Sequence, residues 1–121
     1  LTPLQWGAHV RRIYHDYGAD LLVAEVNQGG DLIRELILRD APRIKFRGVR
    51  ATVGKLARAE PIVAFYERGM VFHCGRFAAL EDEMLNYCGY GASPDRLDAL
   101  VWGLDIILMK PEPVSPHIRP L

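Results

Sequence analysis

Apolar residues recur at helical spacing from the start of the chain. Trp6, Val10, Ile13 and Tyr17 share one face of a helix from Thr2 to Gly18, and this face is expected to be buried. Thr2 suits the N-cap, Pro3 the first helical position and Gly18 the stop. The period then changes. Leu21 to Val26 is a short apolar run, the pattern of a strand covered on both faces. Asn27-Gln28-Gly29-Gly30 turns the chain into a second helix, about Asp31 to Arg39, ended by Pro42. Apolar and basic residues alternate from Ile44 to Ala51, which predicts a second strand. A third helix is expected from Lys55 to Arg68, bent or restarted at Pro61 and stopped by Gly69. Met70 to His73 reads as a third short strand and Phe77 to Tyr87 as a fourth helix. Cys88 to Ala92 then forms a loop, and Ser93 caps a last helix reaching about Met109.

This order predicts an α/β fold, with the first two strands parallel neighbours joined by a right-handed crossover. The expected sheet has only about three strands for five helices, small against the usual five or so. At 121 residues the chain fits one domain, placed at 1–110. Residues 111–121 hold Pro111, Pro113, Pro116 and Pro120 and read as an extended tail. There are no internal repeats.

Composition narrows the class. Half the residues are hydrophobic and a quarter charged, a globular profile. No apolar run approaches the roughly 20 residues that span a bilayer. The first residues mix Arg11, Arg12, His15 and Asp16 into an amphipathic pattern rather than a signal peptide, so a cytoplasmic location is expected. Cys74 and Cys88 are too few for a disulfide framework, and their spacing matches no zinc signature.

The 15 basic and 15 acidic residues cancel in sum but not in place. Between Ala41 and Ala59 there is no carboxylate, and there are six cations: Arg43, Lys45, Arg47, Arg50, Lys55 and Arg58. Acids gather later, at Glu81, Asp82, Glu83, Asp95, Asp98 and Asp105. A basic stretch with a separate acidic cluster suits a protein that grips a phosphate backbone and cuts it with bound metal. The plainer reading is a solvated strand and helix decorated with Arg and Lys.

Three carboxylates carry the chemical argument. Glu25 lies near the carboxyl end of an apolar strand, where open α/β sheets place ligands. Burial there would require a cation or a metal as compensation. Asp95 and Asp98, three apart, fall on one helical face. Asp95 also suits the helix dipole at a first turn, whereas Asp98 is placed beyond that turn and opens the apolar stretch Ala99-Leu100-Val101-Trp102. A strand carboxylate with one or two helix carboxylates is an arrangement that holds Mg²⁺ or Mn²⁺. Two such ions about 4 Å apart would activate water and stabilise the leaving oxygen of a phosphodiester. Other chemistries fit less well. Gln28-Gly29-Gly30 lacks the glycine patterns of nucleotide-binding loops, no Gly-x-Ser-x-Gly elbow occurs, and His73 beside Cys74 reads as core.

Five stretches together resemble the nuclease domain at the C-terminal end of the large terminase subunit of tailed bacteriophages and gene-transfer particles. They are Tyr17-Gly18-Ala19-Asp20 through Val23-Ala24-Glu25-Val26-Asn27-Gln28-Gly29-Gly30-Asp31, Val49-Arg50-Ala51 with Gly54-Lys55, and Ala57-Arg58-Ala59-Glu60-Pro61. Leu80-Glu81-Asp82-Glu83-Met84 and Ser93-Pro94-Asp95-Arg96-Leu97-Asp98-Ala99-Leu100-Val101-Trp102 complete the set. The resemblance implies a ribonuclease H-like three-layer fold that cuts double-stranded DNA with two metal ions during genome packaging. Its further partners would be a portal protein and a small terminase subunit. By the same resemblance, Glu25 matches a strand acid, Asp98 the acid of the last helix and Asp95 one that shares its role. Lys55 and Arg58 match a basic helix start near the DNA backbone.

The resembled domain opens with three antiparallel strands, the first carrying a further metal-binding Asp. This chain begins where the following helix is expected, which would account for the small sheet. The Val23 strand would then expose an unpaired edge and an apolar flank, so self-association, or pairing with a missing piece of chain, is expected. Two other readings stay open: a truncated fragment or prophage remnant that binds DNA or a partner without cutting, and a nuclease resembling junction resolvases. The Asn27-Gln28-Gly29-Gly30 stretch favours a terminase over a resolvase.

Overall fold

A computed structural model describes residues 1–26, 30–87 and 94–109. The turn at 27–29, the loop from Cys88, the cap at Ser93 and the tail at 111–121 lie outside the described residues. The chain forms two compact units, Leu1–Thr52 and Val53–Leu121. No helix among the described residues is long and apolar enough to cross a membrane.

The first unit holds α1 (Pro3–Asp16), β1 (Leu22–Glu25), α2 (Gly30–Leu38) and β2 (Phe46–Val49). A capping box starts α1. The Gln5 backbone N–H donates to Thr2 Oγ1 at 3.1 Å, and the Thr2 N–H donates to Gln5 Oε1 at 2.9 Å. Gly18 (φ +59°) then takes a left-handed conformation that a side chain would resist.

The buried face of α1 is not the one expected from its apolar residues. Trp6 and Ile13 are exposed, as is Tyr17 at 84%, while Gly7 is buried. The reason is how closely α2 approaches. A Cβ on Gly7 would sit 2.9 Å from the Leu36 carbonyl oxygen. One turn on, Arg11 Nη1 donates to the Leu36 and Ile37 carbonyls at 2.8 and 3.3 Å. Those carbonyls lie in the last turn of α2, where helical partners run out. The Gly7–Arg11 stripe therefore faces α2. Ile37 and Ile44 form the core of this unit.

The strands pair in parallel, in the register Leu22↔Phe46 to Glu25↔Val49. Flanking bonds from Leu22 N–H to Lys45 O (2.9 Å) and Val26 N–H to Val49 O (2.8 Å) extend the ladder. The parallel sense agrees with the expectation; the strand count does not. Among the described residues the sheet has two strands. Met70–His73 forms no ladder. It is four residues long, with Met70 exposed and Phe72 79% exposed. Its Met70 N–H turns back to the Phe65 carbonyl of the preceding helix at 2.9 Å rather than to a neighbouring strand. Nor is β1 covered on both faces: Leu22 to Ala24 are half-buried and Glu25 is exposed.

The second unit holds α3 (Lys55–Glu67), α4 (Ala78–Asn86) and α5 (Asp95–Leu104), with a π-helical turn at Asp105–Met109. Its core is Ile62, Val101, Trp102 and Ile106. Pro61 neither ends nor restarts α3, which runs through it from Lys55 to Glu67; it removes one N–H donor from the helical ladder. Gly69 (φ +70°) makes the stop.

Candidate functional site

In the first unit, Glu25 sits at the carboxyl end of β1, as its strand position predicted. Its exposure removes the burial argument for a compensating charge, although the residue is not without a partner. Arg43, Lys45 and Arg50 are exposed on the segments flanking β2, and Arg47 is half-buried on the strand itself.

Asp95 and Asp98 belong to the second unit. Helix α5 begins at Asp95, directly after Pro94, so both carboxylates lie in its first turn. This corrects the placement of Asp98 beyond that turn. Near the helix start, the aligned peptide dipoles favour both negative charges. Asp95 is exposed, whereas the Asp98 side chain retains 24% of its accessible surface.

What faces Asp98 is a cation. Arg58 reaches across from α3, with Nη2 3.8 Å from Asp98 Oδ1 and Cζ 4.5 Å from the centre of the Trp102 ring. Asp98 and Trp102 are one turn apart on α5, so carboxylate and indole share a face with the guanidinium against them. The Arg58 side chain is only 10% exposed. Its Nε and Nη1 are buried without a hydrogen-bond partner among the described residues. Lys55, the first residue of α3, is exposed.

A second polar constellation ties α3 to α4. The Tyr66 hydroxyl lies 2.8 Å from His73 Nε2, and His73 Nδ1 lies 3.6 Å from Glu81 Oε1. With the ring proton on Nδ1, facing Glu81, Nε2 accepts the Tyr66 O–H. Tyr66 and Phe77 both meet the imidazole edge to face. Burial raises the Tyr66 phenol above its ordinary value. Sequence reasoning placed His73 in the core and did not foresee these partners, because no local pattern links a helix, a loop and the next helix. Cys74, beside His73, is an exposed free thiol. Between α4 and α5, Glu83 Oε2 and Arg96 Nη1 are 3.9 Å apart.

In neither unit do three His, Cys, Asp or Glu side chains cluster as metal ligands among the described residues. The acids do supply hard oxygen donors of the kind Mg²⁺ and Mn²⁺ prefer. The Arg58–Asp98 contact is too long for a hydrogen bond, so it does not lock the carboxylate.

A parallel β-α-β arrangement in the first unit and a helical second unit make this an α/β protein, with a strand-end carboxylate in the one and paired helix carboxylates in the other. Residues 1–105 match the family described as the Terminase RNaseH-like domain, and the chain belongs to that family. No curated protein and no solved structure matches it.

Proposed function

We propose that the chain is a terminase nuclease domain that cuts double-stranded DNA with divalent metal. The observation that carries this reading is the Asp95–Asp98 pair on one face of α5, in a chain matched to the family over residues 1–105. Glu25, Asp95 and Asp98 are the metal-holding carboxylates in this reading. Bound Mg²⁺ or Mn²⁺ would supply water activation and charge neutralisation at the leaving oxygen. The exposed Arg43, Lys45, Arg50 and Lys55, with Arg47, would hold backbone phosphates. Their work is positioning, because contacts to phosphate carry no sequence information. Arg58, held against Asp98, stands apart from that group.

Nicking of supercoiled plasmid in Mn²⁺ tests the proposal. The 121-residue chain is expected to nick, and Glu25→Gln and Asp98→Asn each to abolish nicking while circular dichroism stays unchanged. Retained nicking in either variant removes that carboxylate from the site. A second reading, a chain that binds DNA without cutting, is favoured by the position of Arg58 against Asp98. DNA retention without nicking at any metal concentration would support it.

A further inference from the structure

We propose that Arg58 is the resident counter-ion of Asp98, and that its departure is the step that admits a divalent cation to that carboxylate. The inference rests on the reading of Asp98 as a metal ligand. It concerns a residue whose sequence position suggested a DNA contact instead.

Burying a guanidinium is costly unless its charge is paired and its donors are used. Arg58 meets only part of that requirement. One nitrogen faces Asp98 at 3.8 Å, and two others are buried without a hydrogen-bond partner among the described residues. A stable structural arginine would meet its carboxylate side by side, with two short parallel bonds. Here the approach is single and long. What retains the guanidinium is the Trp102 ring at 4.5 Å, a contact that holds the cation without consuming its N–H donors.

The result is a placeholder. Positive charge stands beside Asp98, so the carboxylate is neutralised when no metal is present. Because neither partner is tightly bonded, a doubly charged ion can outcompete a singly charged one. The unused Nε and Nη1 donors then become available to an acceptor outside their present pocket, and a phosphate oxygen has the right chemistry.

A purely structural pin between α3 and α5 predicts something different. Removing a pin loosens the helices and weakens any site built on them. Removing a competing cation strengthens metal binding.

The deciding measurement is calorimetric titration of Mn²⁺ into the 121-residue chain and into Arg58→Gln, Arg58→Lys and Asp98→Asn, with folding followed by circular dichroism. Arg58→Gln is expected to bind Mn²⁺ on the order of tenfold more tightly, the scale on which one adjacent charge biases a carboxylate. Arg58→Lys, which keeps the charge and loses the planar stack, is expected between that variant and the parent. Equal or weaker binding by Arg58→Gln, with binding still abolished by Asp98→Asn, overturns the counter-ion role and leaves the metal site standing. Binding unaffected by Asp98→Asn overturns the reading of Asp98 as a ligand, and this inference with it.

A second readout needs no Arg58 variant to fold. The chain has two tryptophans, so Trp6→Phe leaves the emission of Trp102 alone. Mg²⁺, which does not quench by itself, is expected to change that emission as the guanidinium leaves the ring. Unchanged emission at saturating Mg²⁺ overturns the displacement.

Discussion

A tyrosine hydroxyl 2.8 Å from a histidine nitrogen, and shielded from water, gives up its proton less readily than one in the unfolded chain. The folded state therefore keeps the Tyr66 proton after the unfolded state has begun to lose its own, near pH 10. Its stabilising effect is complete below about pH 10 and declines as pH rises through the folded value. Urea unfolding between pH 8 and 11 is expected to show stability falling above pH 10, and falling less in Tyr66→Phe. At neutral pH the same variant is expected to cost about 1 kcal/mol, the usual net worth of one hydrogen bond. His73 had no such partners in the sequence pattern, because Tyr66 reaches it only once the chain has turned at Gly69.

Between elements, the contact of α1 with α2 turns on the absence of one methyl group. Helix propensity alone predicts that Gly7→Ala should gain up to about 1 kcal/mol. The packing predicts the opposite sign. The new Cβ would meet backbone, the Leu36 oxygen at 2.9 Å, and backbone cannot rotate aside. Arg11 would be displaced from the α2 carbonyls by the same shift. Gly7→Ala is expected to destabilise by about 1–3 kcal/mol, read as a lower thermal midpoint. A raised midpoint would show that α1 and α2 are not in close contact. The apolar period of α1 was legible in the sequence. Its buried side was not, since a glycine carries no hydrophobic signal and yet decides how near the neighbouring helix can come.

At the scale of the molecule, the two-stranded sheet leaves β1 and β2 each with one unpaired edge among the described residues. Beside β1 lies a groove of about 310 Å³, lined by Val10, Ile13, Tyr17, Leu22 and Val23 among others. Open strand edges next to apolar surface invite pairing between chains. Light scattering of the pure chain is expected to give a mass that rises with concentration, a second copy being the partner available. A mass equal to one chain across the range would end that expectation. Terminase family membership was legible in the sequence from several short stretches in order, and the match over residues 1–105 agrees.

The sequence by itself determined what neighbouring residues decide between them. Thr2 and Gln5 cap α1, Gly18 and Gly69 stop helices, the apolar and alternating runs become β1 and β2, and the three-residue spacing puts Asp95 and Asp98 on one face. Each follows from local sterics, periodicity or capping, which act within a turn or two of chain. Tertiary structure alone decided the rest. It buried Gly7 rather than Trp6, left Glu25 exposed, kept Met70–His73 out of any sheet, and brought Arg58 from α3 between Asp98 and Trp102 of α5. Those outcomes depend on which surfaces meet. That is settled by close approach, by carbonyls and charges seeking partners across the fold, and by the apolar area two elements can bury together, none of which a local pattern encodes.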